Sequence, residues 1–446
     1  MEMRVSLKRY IDKVSEINPV LLEGKVTKVV GTVIEGNGPS MPLGGICEVF
    51  PPRYAEPVLA EVVGFRENSL LLMPLCSCDG IERGSRIVAR SYEASVQVGP
   101  DMLGRVLDGL GQPIDGRGPI HYTRTIPLYA KPLNPLNRAR IKEPLDVGIR
   151  AINSLITLAK GQRAAIMAGS GVGKSVLLGM MARFTKADVN VIALIGERGR
   201  EVKEFIERDL GAEGLKRSVV VAATSDTSPL IRMRGAYLAT AIAEFFRDNG
   251  KDVLLMMDSI TRFAMAVREV GLASGEPPSN KAYPPSTFAH LPRLLERAGT
   301  NGTKGSITGL YTVLVEGDDM NEPIADAVRS IVDGHIVLDR SLASRGHYPA
   351  IDVLSSVSRL MNDVVEPDHL AYSKKFRALL AEYARIEDLV NLGAYKRGNN
   401  KRADYAVDMI DKLNAFLRQD VKTKCTMEEG IKAMRELFGS PESSLF

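Results

Sequence analysis

The segment AGSGVGKS, residues 168–175, has the residue types of a loop that binds phosphate groups. The apolar run RAAIM precedes it, and VLLGMMARF, with helical spacing, follows it, so the sequence supplies the strand, loop and helix that such a loop requires. Backbone N–H groups of the loop would cradle phosphates, Lys174 would reach the β- and γ-phosphates, and Ser175 would ligate Mg²⁺. The predicted nucleotide-binding residues are Gly169, Ser170, Gly171, Val172, Gly173, Lys174, Ser175 and Val176.

Two acidic residues that follow apolar runs could complete this chemistry. Asp258 ends the run VLLMM, and a carboxylate at the end of a core strand is a common Mg²⁺ ligand beside a phosphate loop. Glu197 follows the run VNVIALI, from where its carboxylate could polarise a water that attacks the γ-phosphate. Spacing alone leaves an alternative open, in which Glu197 is a solvated loop residue.

The regions that must position these motifs differ in their patterns. From about residue 146 to 363, apolar runs alternate with helical stretches, which predicts a parallel sheet with crossover helices. Residues 23–92 carry short alternating runs punctuated by Gly and Pro, which favours a small β-barrel or sandwich. After Pro367, apolar positions recur at helical spacing and predict a helical domain. The predicted core strands are RAAIM, VNVIALI, SVVVAAT, VLLMMD, SITGLYTVLV and GHIVLD.

Two further segments precede or connect these regions. Residues 3–17 place apolar side chains at helical spacing, which predicts a short amphipathic helix, and the sequence does not reveal its partner. Residues 99–145 are rich in Gly and Pro, which suits a linker that wraps between domains.

Composition excludes several classes of protein. The chain has 446 residues, enough for about three domains, and its net charge of +4 gives no global field for nucleic acid or an anionic membrane. Its four cysteines are too few and too scattered for a disulfide framework. Neither a secretory signal nor an apolar run long enough for a membrane span is visible, so we expect a cytoplasmic protein.

Six segments occur together in order: AGSGVGKS, GERGREV, DSITRFA, GEPP with YPPS, EGDD, and HYPAIDVLSSVSR. In this combination the chain resembles the flagellar and type III protein export ATPases over nearly its whole length. It is similar, more distantly, to the catalytic subunits of rotary ATP synthases. The resemblance implies an α/β fold with a RecA-like P-loop core and parallel sheet, an N-terminal β-barrel and a C-terminal helical domain. The domains expected are a partner-binding helix at 1–20, a ring-forming barrel at 21–95, the ATPase domain with its leading linker at 96–365, and the helical domain at 366–446.

The resemblance also implies roles for single residues. Glu197 matches the catalytic carboxylate, Arg198 a γ-phosphate contact, Arg262 a supporting arginine of the site, Tyr348 the aromatic residue that stacks on adenine, and Arg359 the arginine finger that enters a neighbouring subunit's site. An ordinary salt bridge at a subunit interface remains the alternative for Arg359. Because one chain carries both Glu197 and Arg359, identical subunits could complete one another's sites in a closed ring.

The function implied is ATP hydrolysis by a homo-hexameric ring that energises flagellar or type III protein export, promoting delivery and unfolding of substrates at the export gate. ATP and Mg²⁺ are the expected cofactors. The expected partners are a stator-like regulator at the N-terminus, a central-stalk-like coiled-coil protein, the export gate membrane complex and chaperone–substrate complexes. The protein is expected in the cytoplasm, peripherally associated with the export apparatus at the inner membrane. We favour the flagellar machine over the injectisome.

Rival functions make different demands on the sequence. An RNA translocase would need a basic, aromatic-lined barrel, but residues 23–95 carry seven Lys or Arg against nine Asp or Glu, so we expect no nucleic acid partner. A non-catalytic nucleotide-binding subunit would lack Glu197. A rotary synthase catalytic subunit would carry an acidic stalk-facing loop, whereas here GAYKRGNNKR at 393–402 is basic. That loop could also be a simple solvated hairpin connection.

Overall fold

A computed structural model describes residues 22–53, 56–302, 304–315, 319–398 and 400–439. Contacts divide the chain into two compact units, one of Met1–Ala94 with Val270–Glu276 and a second of Ser95–Glu269 with Pro277–Phe446. The helix expected at 1–20 lies outside the described residues. Within those residues, no helix combines the length and the apolar composition that crossing a membrane requires.

The first unit contains a closed barrel of six antiparallel strands, in the order β1-β2-β5-β4-β3-β6. Alternation of apolar and polar residues along the strands sends one set of side chains inward, where Ile34, Cys47 and Leu72 are completely buried. The predicted barrel is therefore confirmed. Its strands are β1 Glu23–Val30, β2 Val33–Gly36, β3 Ile46–Phe50, β4 Val58–Arg66, β5 Ser69–Pro74 and β6 Arg86–Ser91.

The second unit is built on a nine-stranded sheet, whose order is β19-β18-β12-β17-β15-β13-β14-β8, with β16 paired to β17. The strands of this sheet and of two small two-stranded sheets are β7 Ser95–Val98, β8 Val106–Asp108, β9 Arg124–Pro127, β10 Pro144–Leu145, β11 Leu158–Ala159, β12 Arg163–Ala168, β13 Val189–Ile195, β14 Ser218–Ala223, β15 Asp252–Asp258, β16 Gly299–Thr300, β17 Ser306–Leu314, β18 Gly334–Leu338 and β19 Ile351–Ser358.

Strands β18, β12, β17, β15, β13, β14 and β8 run parallel to one another. Their near-continuous apolar sequences fit a sheet that is covered on both faces. Because the strands are parallel, their carboxyl ends share one edge, and this edge carries the phosphate loop after β12. The predicted α/β core is confirmed.

Helices cover this sheet and extend beyond it. The α-helices of the described chain are Arg150–Leu155, Lys174–Phe184, Gly199–Glu204, Gly211–Lys216, Pro229–Asp248, Ile260–Ala273, Pro285–Leu295, Pro323–Ile331, Arg340–Ser344, Met361–Val364, Pro367–Asn391, Lys401–Leu417 and Met427–Phe438, with a π-helical turn at Phe205–Leu210 and 3₁₀ turns at Pro100–Met102, Pro135–Asn137 and Asn280–Ala282.

The C-terminal helices confirm the predicted helical region and share the core of the parallel sheet. Phe376 is fully buried, with ring centroids 5.0 Å from Phe416 and 6.1 Å from Phe438. These three rings belong to the same buried cluster as sheet residues such as Ile166 and Ile336. The last helix begins with a capping box, in which Thr426 and Glu429 satisfy each other's backbone N–H groups. Contacts through this core tie the C-terminal helices to the nucleotide-binding unit.

Three strands of the large sheet, β8, β16 and β19, lie in segments without a strand prediction, and two of them, β8 and β19, form its edges. Strand β8 comes from the Gly- and Pro-rich segment 99–145 and pairs with β14 through Val106, Leu107 and Asp108. Strand β19 runs antiparallel to β18 at the other edge of the sheet. Both are edge strands held by long-range pairing, for which local sequence patterns carry little signal.

Candidate nucleotide-binding and catalytic site

The phosphate loop connects β12 to the helix Lys174–Phe184 and is built around two glycines in the left-handed region. Gly171 has φ of 80° and Gly173, the residue before the helix, has φ of 87°. Glycine adopts such angles without strain, and at Gly171 an added Cβ would meet nothing within 4 Å, so the space beside Gly171 is open. No side chain caps this helix, which leaves its first N–H groups available to an anion.

Three of the predicted residues converge beside this loop. The ammonium group of Lys174 forms an ion pair with Asp258 Oδ1 and lies 3.9 Å from Glu197 Oε1. All three side chains are at most 16% exposed, so their charges interact with little screening by water. Strand pairing produces the cluster, because Leu194 of β13 lies opposite Asp258 of β15 at the shared carboxyl edge.

Burial and charge together change the ionisation of Glu197. Desolvation, followed by repulsion from Asp258, raises the pKa of the Glu197 carboxyl to about 7, although Lys174 opposes the shift. A carboxylate with a pKa near the working pH can accept a proton from water and release it again. Glu197 is thus suited to general base chemistry in a way that a solvated loop glutamate is not.

The two arginines that the resemblance places near the γ-phosphate differ in location. Arg262 lies against Gly196, where an added Cβ would come within 2.9 Å of the Arg262 Cβ. Among the described residues, nothing accepts a hydrogen bond from its buried Nε. The Arg198 side chain is 77% exposed and pairs with Glu201 at 3.3 Å. It thus lies outside the cluster of Lys174, Glu197 and Asp258, called the Lys174 cluster below. Contact of either arginine with a phosphate stays a prediction.

A cavity of about 300 Å³ lies next to the phosphate loop. The Tyr348 ring lines it, 3.6 Å from the position that a Cβ on Gly173 would occupy. The cavity is lined by Gly171, Val172, Gly173, Val176, Leu177, Met180, Leu338, Tyr348, Pro349, Ala350, Gln419 and Val421. An aromatic face with mostly apolar walls at this distance from a phosphate loop has the character of a nucleobase pocket.

Gln419 contributes to this cavity from the segment that follows the helix Lys401–Leu417. Its Oε1 accepts the Arg150 N–H at 2.7 Å, and its Nε2 donates to Gly148 O at 2.8 Å and to Thr423 O at 2.7 Å. Its own N–H donates to Tyr348 O at 3.0 Å. The side-chain amide is therefore engaged with the protein, and Gln419 fixes the backbone that carries Tyr348.

Arg359 lies far from its own phosphate loop. It follows β19, in which Ser358 pairs with Gly334 at the amino end of β18, whereas Ala168 at the start of the loop pairs with Leu338 at the carboxyl end. Arg359 is exposed, and its N–H donates to Asp333 O at 3.0 Å. The structure does not bring Arg359 together with the Lys174 cluster of the same chain.

The donor set fits a divalent cation that arrives with phosphate groups. Ser175 is exposed at the start of the loop helix and Asp258 ends the neighbouring strand, so a hydroxyl and a carboxylate are available. In the described part of the chain, no group of three or more His, Cys, Asp or Glu side chains could hold a metal alone. Mg²⁺ is suited to such a site, because it binds through one or two protein groups together with phosphate oxygens and water.

Sequence reasoning missed several residues that the fold adds to this region, and three of them lie outside every motif. Gln419 and Val421 line the cavity, and the Thr312 hydroxyl donates to Asp258 Oδ1 at 2.7 Å. Gln419 and Val421 lie in the C-terminal region, far along the chain from the phosphate loop, and Thr312 interrupts an apolar strand with no motif around it. No periodicity or spacing signal could have found them.

Two sequence families match this chain. The ATP synthase alpha/beta family, nucleotide-binding domain, matches residues 148–358, and the T3SS EscN ATPase C-terminal domain matches residues 365–436. The first match covers the phosphate loop and the cluster of Lys174, Glu197 and Asp258, and it ends at Ser358, the residue before Arg359. The second covers most of the C-terminal helices.

Relatives of the chain are similar over nearly its full length. A flagellum-specific ATP synthase of Bacillus subtilis is 51% identical over 443 residues, which is 99% of this chain and 98% of the relative. A type 3 secretion system ATPase of Xanthomonas euvesicatoria is 52% identical over 399 residues, 89% of each chain. The solved structure of the assembled ATPase EscN from the type III secretion system of enteropathogenic E. coli is 44% identical and superimposes with a TM-score of 0.88, covering 93% of this chain and 99% of EscN.

Proposed function

The chain belongs to the family of flagellum-specific and type III secretion system ATPases. We propose that the residues of its site divide the work of ATP hydrolysis as follows. The chain is an ATPase that energises protein export. The observation that carries the proposal is the convergence of Lys174, Glu197 and Asp258 at the edge of the sheet beside the phosphate loop. These three groups can bind phosphates, activate water and hold a divalent cation.

Each residue has a distinct task in the proposed hydrolysis. The loop N–H groups and Lys174 bind the β- and γ-phosphates and orient the terminal phosphate. Glu197 takes a proton from the attacking water through a carboxylate oxygen, and its pKa of about 7 allows it to release that proton afterwards. Ser175 and Asp258 would hold Mg²⁺, which supplies neutralisation of phosphate charge when bound. Arg262 is proposed to support the terminal phosphate, and Arg198 to contact it once nucleotide is bound.

The base is proposed to bind in the 300 Å³ cavity with its face on Tyr348. Stacking on an aromatic ring suits a planar nucleobase. Gln419 supports this position indirectly, because its hydrogen bond to Tyr348 O fixes the stacking residue.

Arg359 is proposed to act on the neighbouring subunit, which makes a ring the active form. Its place at the opposite end of the sheet supports this assignment, because it keeps the arginine away from its own site. The assembled state of the similar EscN supports an oligomer of this chain, and we propose a homo-hexamer. Every interface of such a ring pairs one phosphate loop with one finger.

A second solved structure suggests a partner. EscN in complex with its central stalk EscO is 43% identical to this chain and superimposes with a TM-score of 0.86. We propose that this chain binds a comparable coiled-coil stalk. The basic segment 393–402, whose last two residues begin the helix Lys401–Leu417, is a proposed contact, although Arg397 there already pairs with Asp408 at 2.9 Å.

The remaining partners and the location are proposals from the family. They are a stator-like regulator that binds residues 1–20, the export gate membrane complex and chaperone–substrate complexes, with the ring placed in the cytoplasm against the inner membrane. We propose the flagellar machine, because flagellum-specific relatives align over 96% to 99% of this chain, against 89% to 94% for the type 3 secretion relatives. The injectisome is the competing assignment.

Phosphate release by the purified chain tests the proposed site. We expect Mg²⁺-dependent ATP hydrolysis that Lys174→Ala abolishes, and a host lacking the gene should fail to assemble flagella while any injectisome secretion continues. Loss of injectisome secretion with intact flagella would reverse the assignment of the machine. Full hydrolysis by Lys174→Ala would reject the site itself.

A further inference from the structure

Thr312 lies on β17, the strand between the phosphate-loop strand β12 and the strand β15 that ends at Asp258. It pairs with Ile166 of β12, and its neighbour Tyr311 pairs with Met257 of β15. Thr312 is completely buried in this sheet. Its hydroxyl donates to Asp258 Oδ1 at 2.7 Å, so a neutral side chain touches the carboxylate from inside the protein.

The two oxygens of Asp258 differ in their surroundings. Oδ1 accepts the Thr312 hydroxyl and the Lys174 ammonium group. Within the part of the chain that the structure describes, no donor reaches Oδ2. A carboxylate with one oxygen held in this way cannot rotate freely, and its second oxygen keeps a fixed direction.

When Lys174 turns to a nucleotide's phosphates, it can no longer hold Asp258 in the same way. The Thr312 hydroxyl does not depend on nucleotide, because its strand lies in the middle of the sheet. A residue that does not touch the metal but donates a hydrogen bond to a metal ligand fixes the orientation of that ligand. Loss of such a residue typically lowers metal affinity or activity about 10- to 100-fold.

We propose that Thr312 is a positioning residue that orients the Asp258 carboxylate for the divalent cation bound with ATP. The proposal rests on the cation-binding role assigned to Asp258 above. A competing explanation is that Thr312 only packs within the sheet. Threonine is β-branched and favours strands whether or not its hydroxyl forms a hydrogen bond.

The same strand provides a matched control. Thr308 is also buried in β17, and as the residue four positions earlier it belongs to the same face of the strand. Its hydroxyl accepts the Gly161 N–H at 2.9 Å and has no link to Asp258. Thr308→Val and Thr312→Val therefore remove the same group, with the same change of shape, from one strand.

The experiment measures binding of Mn²⁺ by electron paramagnetic resonance in the presence of a non-hydrolysable ATP analogue, with full-length wild type, Thr312→Val, Thr312→Ser, Thr308→Val and Asp258→Asn. We expect Thr312→Val to weaken Mn²⁺ binding about 10-fold or more. Thr312→Ser should restore most of the affinity, and Thr308→Val should match wild type. Binding of the analogue without metal should be equal in wild type and Thr312→Val.

The outcomes test the positioning role of Thr312 separately from the cation-binding role of Asp258. If Asp258→Asn loses Mn²⁺ but Thr312→Val keeps the wild-type affinity, the positioning role is overturned while the proposed site stands. If Thr312→Ser is as defective as Thr312→Val, the methyl group and not the hydroxyl is needed, which also overturns it. Wild-type Mn²⁺ binding by Asp258→Asn would reject the cation-binding role of Asp258 itself.

Discussion

Lys174 and Arg359 lie at opposite ends of the same β-sheet. Lys174 begins the helix that follows the carboxyl end of β12, and Arg359 follows Ser358, which pairs with Gly334 at the amino end of β18. β12 and β18 are parallel neighbours, and the four residue steps from Gly334 to Leu338 span about 13 Å at a rise of roughly 3.3 Å each. One subunit therefore presents its phosphate loop and its candidate finger on opposite sides.

This separation predicts complementation between two inactive variants. Arg359→Ala should lower turnover about 10³- to 10⁵-fold while ATP binding remains, since a finger acts on transition-state charge. Mixed and reassembled with Lys174→Ala, it should regain phosphate release, because some interfaces pair an intact loop with an intact finger.

The control for that mixture is wild-type protein taken through the same disassembly and reassembly. If the wild type recovers and the mixture stays as inactive as each parent, Arg359 does not act in trans. Specific activity of the wild type should also rise with protein concentration as rings form.

A second prediction concerns Glu197→Gln. This change keeps the size of the side chain but removes the proton acceptor, so turnover should fall about 10²- to 10⁴-fold. ATP affinity, measured by equilibrium binding, should stay near the wild-type value, because Lys174 and the loop contact the phosphates independently. Turnover above a tenth of wild type would remove Glu197 from the role of base.

The same residue predicts a pH dependence. The pKa of Glu197 in the nucleotide-free protein is raised to about 7, so the carboxyl is largely protonated below that pH and cannot accept a proton. Since kcat/KM reports ionisations of the free enzyme, it should rise as the pH increases through about 7. Steady-state kinetics between pH 5.5 and 8.5 would check this expectation, and a flat profile across that window would contradict it.

The nucleobase cavity predicts weak discrimination between bases. Both amide atoms of Gln419 are used by Arg150, Gly148 and Thr423, and most other walls of the cavity are apolar. The value of kcat/KM for GTP should therefore lie within about 10-fold of that for ATP, since an apolar pocket rejects similar groups poorly. Tyr348→Ala should raise KM for both nucleotides alike, because base stacking contributes about 1–3 kcal/mol whatever the base. A GTP rate lower by a thousandfold would mean that the base edge is read by hydrogen bonds.

A buried ion pair predicts a stability effect away from the site. The Arg297 side chain is 0% exposed, and its Nε donates to Glu244 Oε1 at 3.0 Å. Arg297→Met leaves the Glu244 charge buried without its partner, which typically costs about 3–5 kcal/mol. Thermal unfolding should show a clearly lowered Tm, and the double variant Arg297→Met with Glu244→Leu should recover much of it. A double variant no more stable than Arg297→Met would indicate that packing, not charge, is what the pair supplies.

The sequence by itself determined the chemistry and the core strands. The phosphate loop is a contiguous segment, so its glycines, Lys174 and Ser175 carry their function in local order. All six apolar runs chosen as core strands form β12, β13, β14, β15, β17 and β18, because a strand buried on both faces needs an uninterrupted apolar sequence. Asp258 and Glu197 were identifiable since Asp258 ends such a strand and Glu197 comes two residues after another.

Only the tertiary structure decided which of these strands are neighbours and what therefore meets at their ends. It brought Thr312 to Asp258, placed Gln419 from the C-terminal region on the wall of the cavity, and placed Arg359 beside the amino end of β18, away from the phosphate loop of its own chain. Strand order and these contacts join residues that are distant along the chain. They depend on pairing and packing free energies of the whole core, which leave no period or spacing in the local sequence.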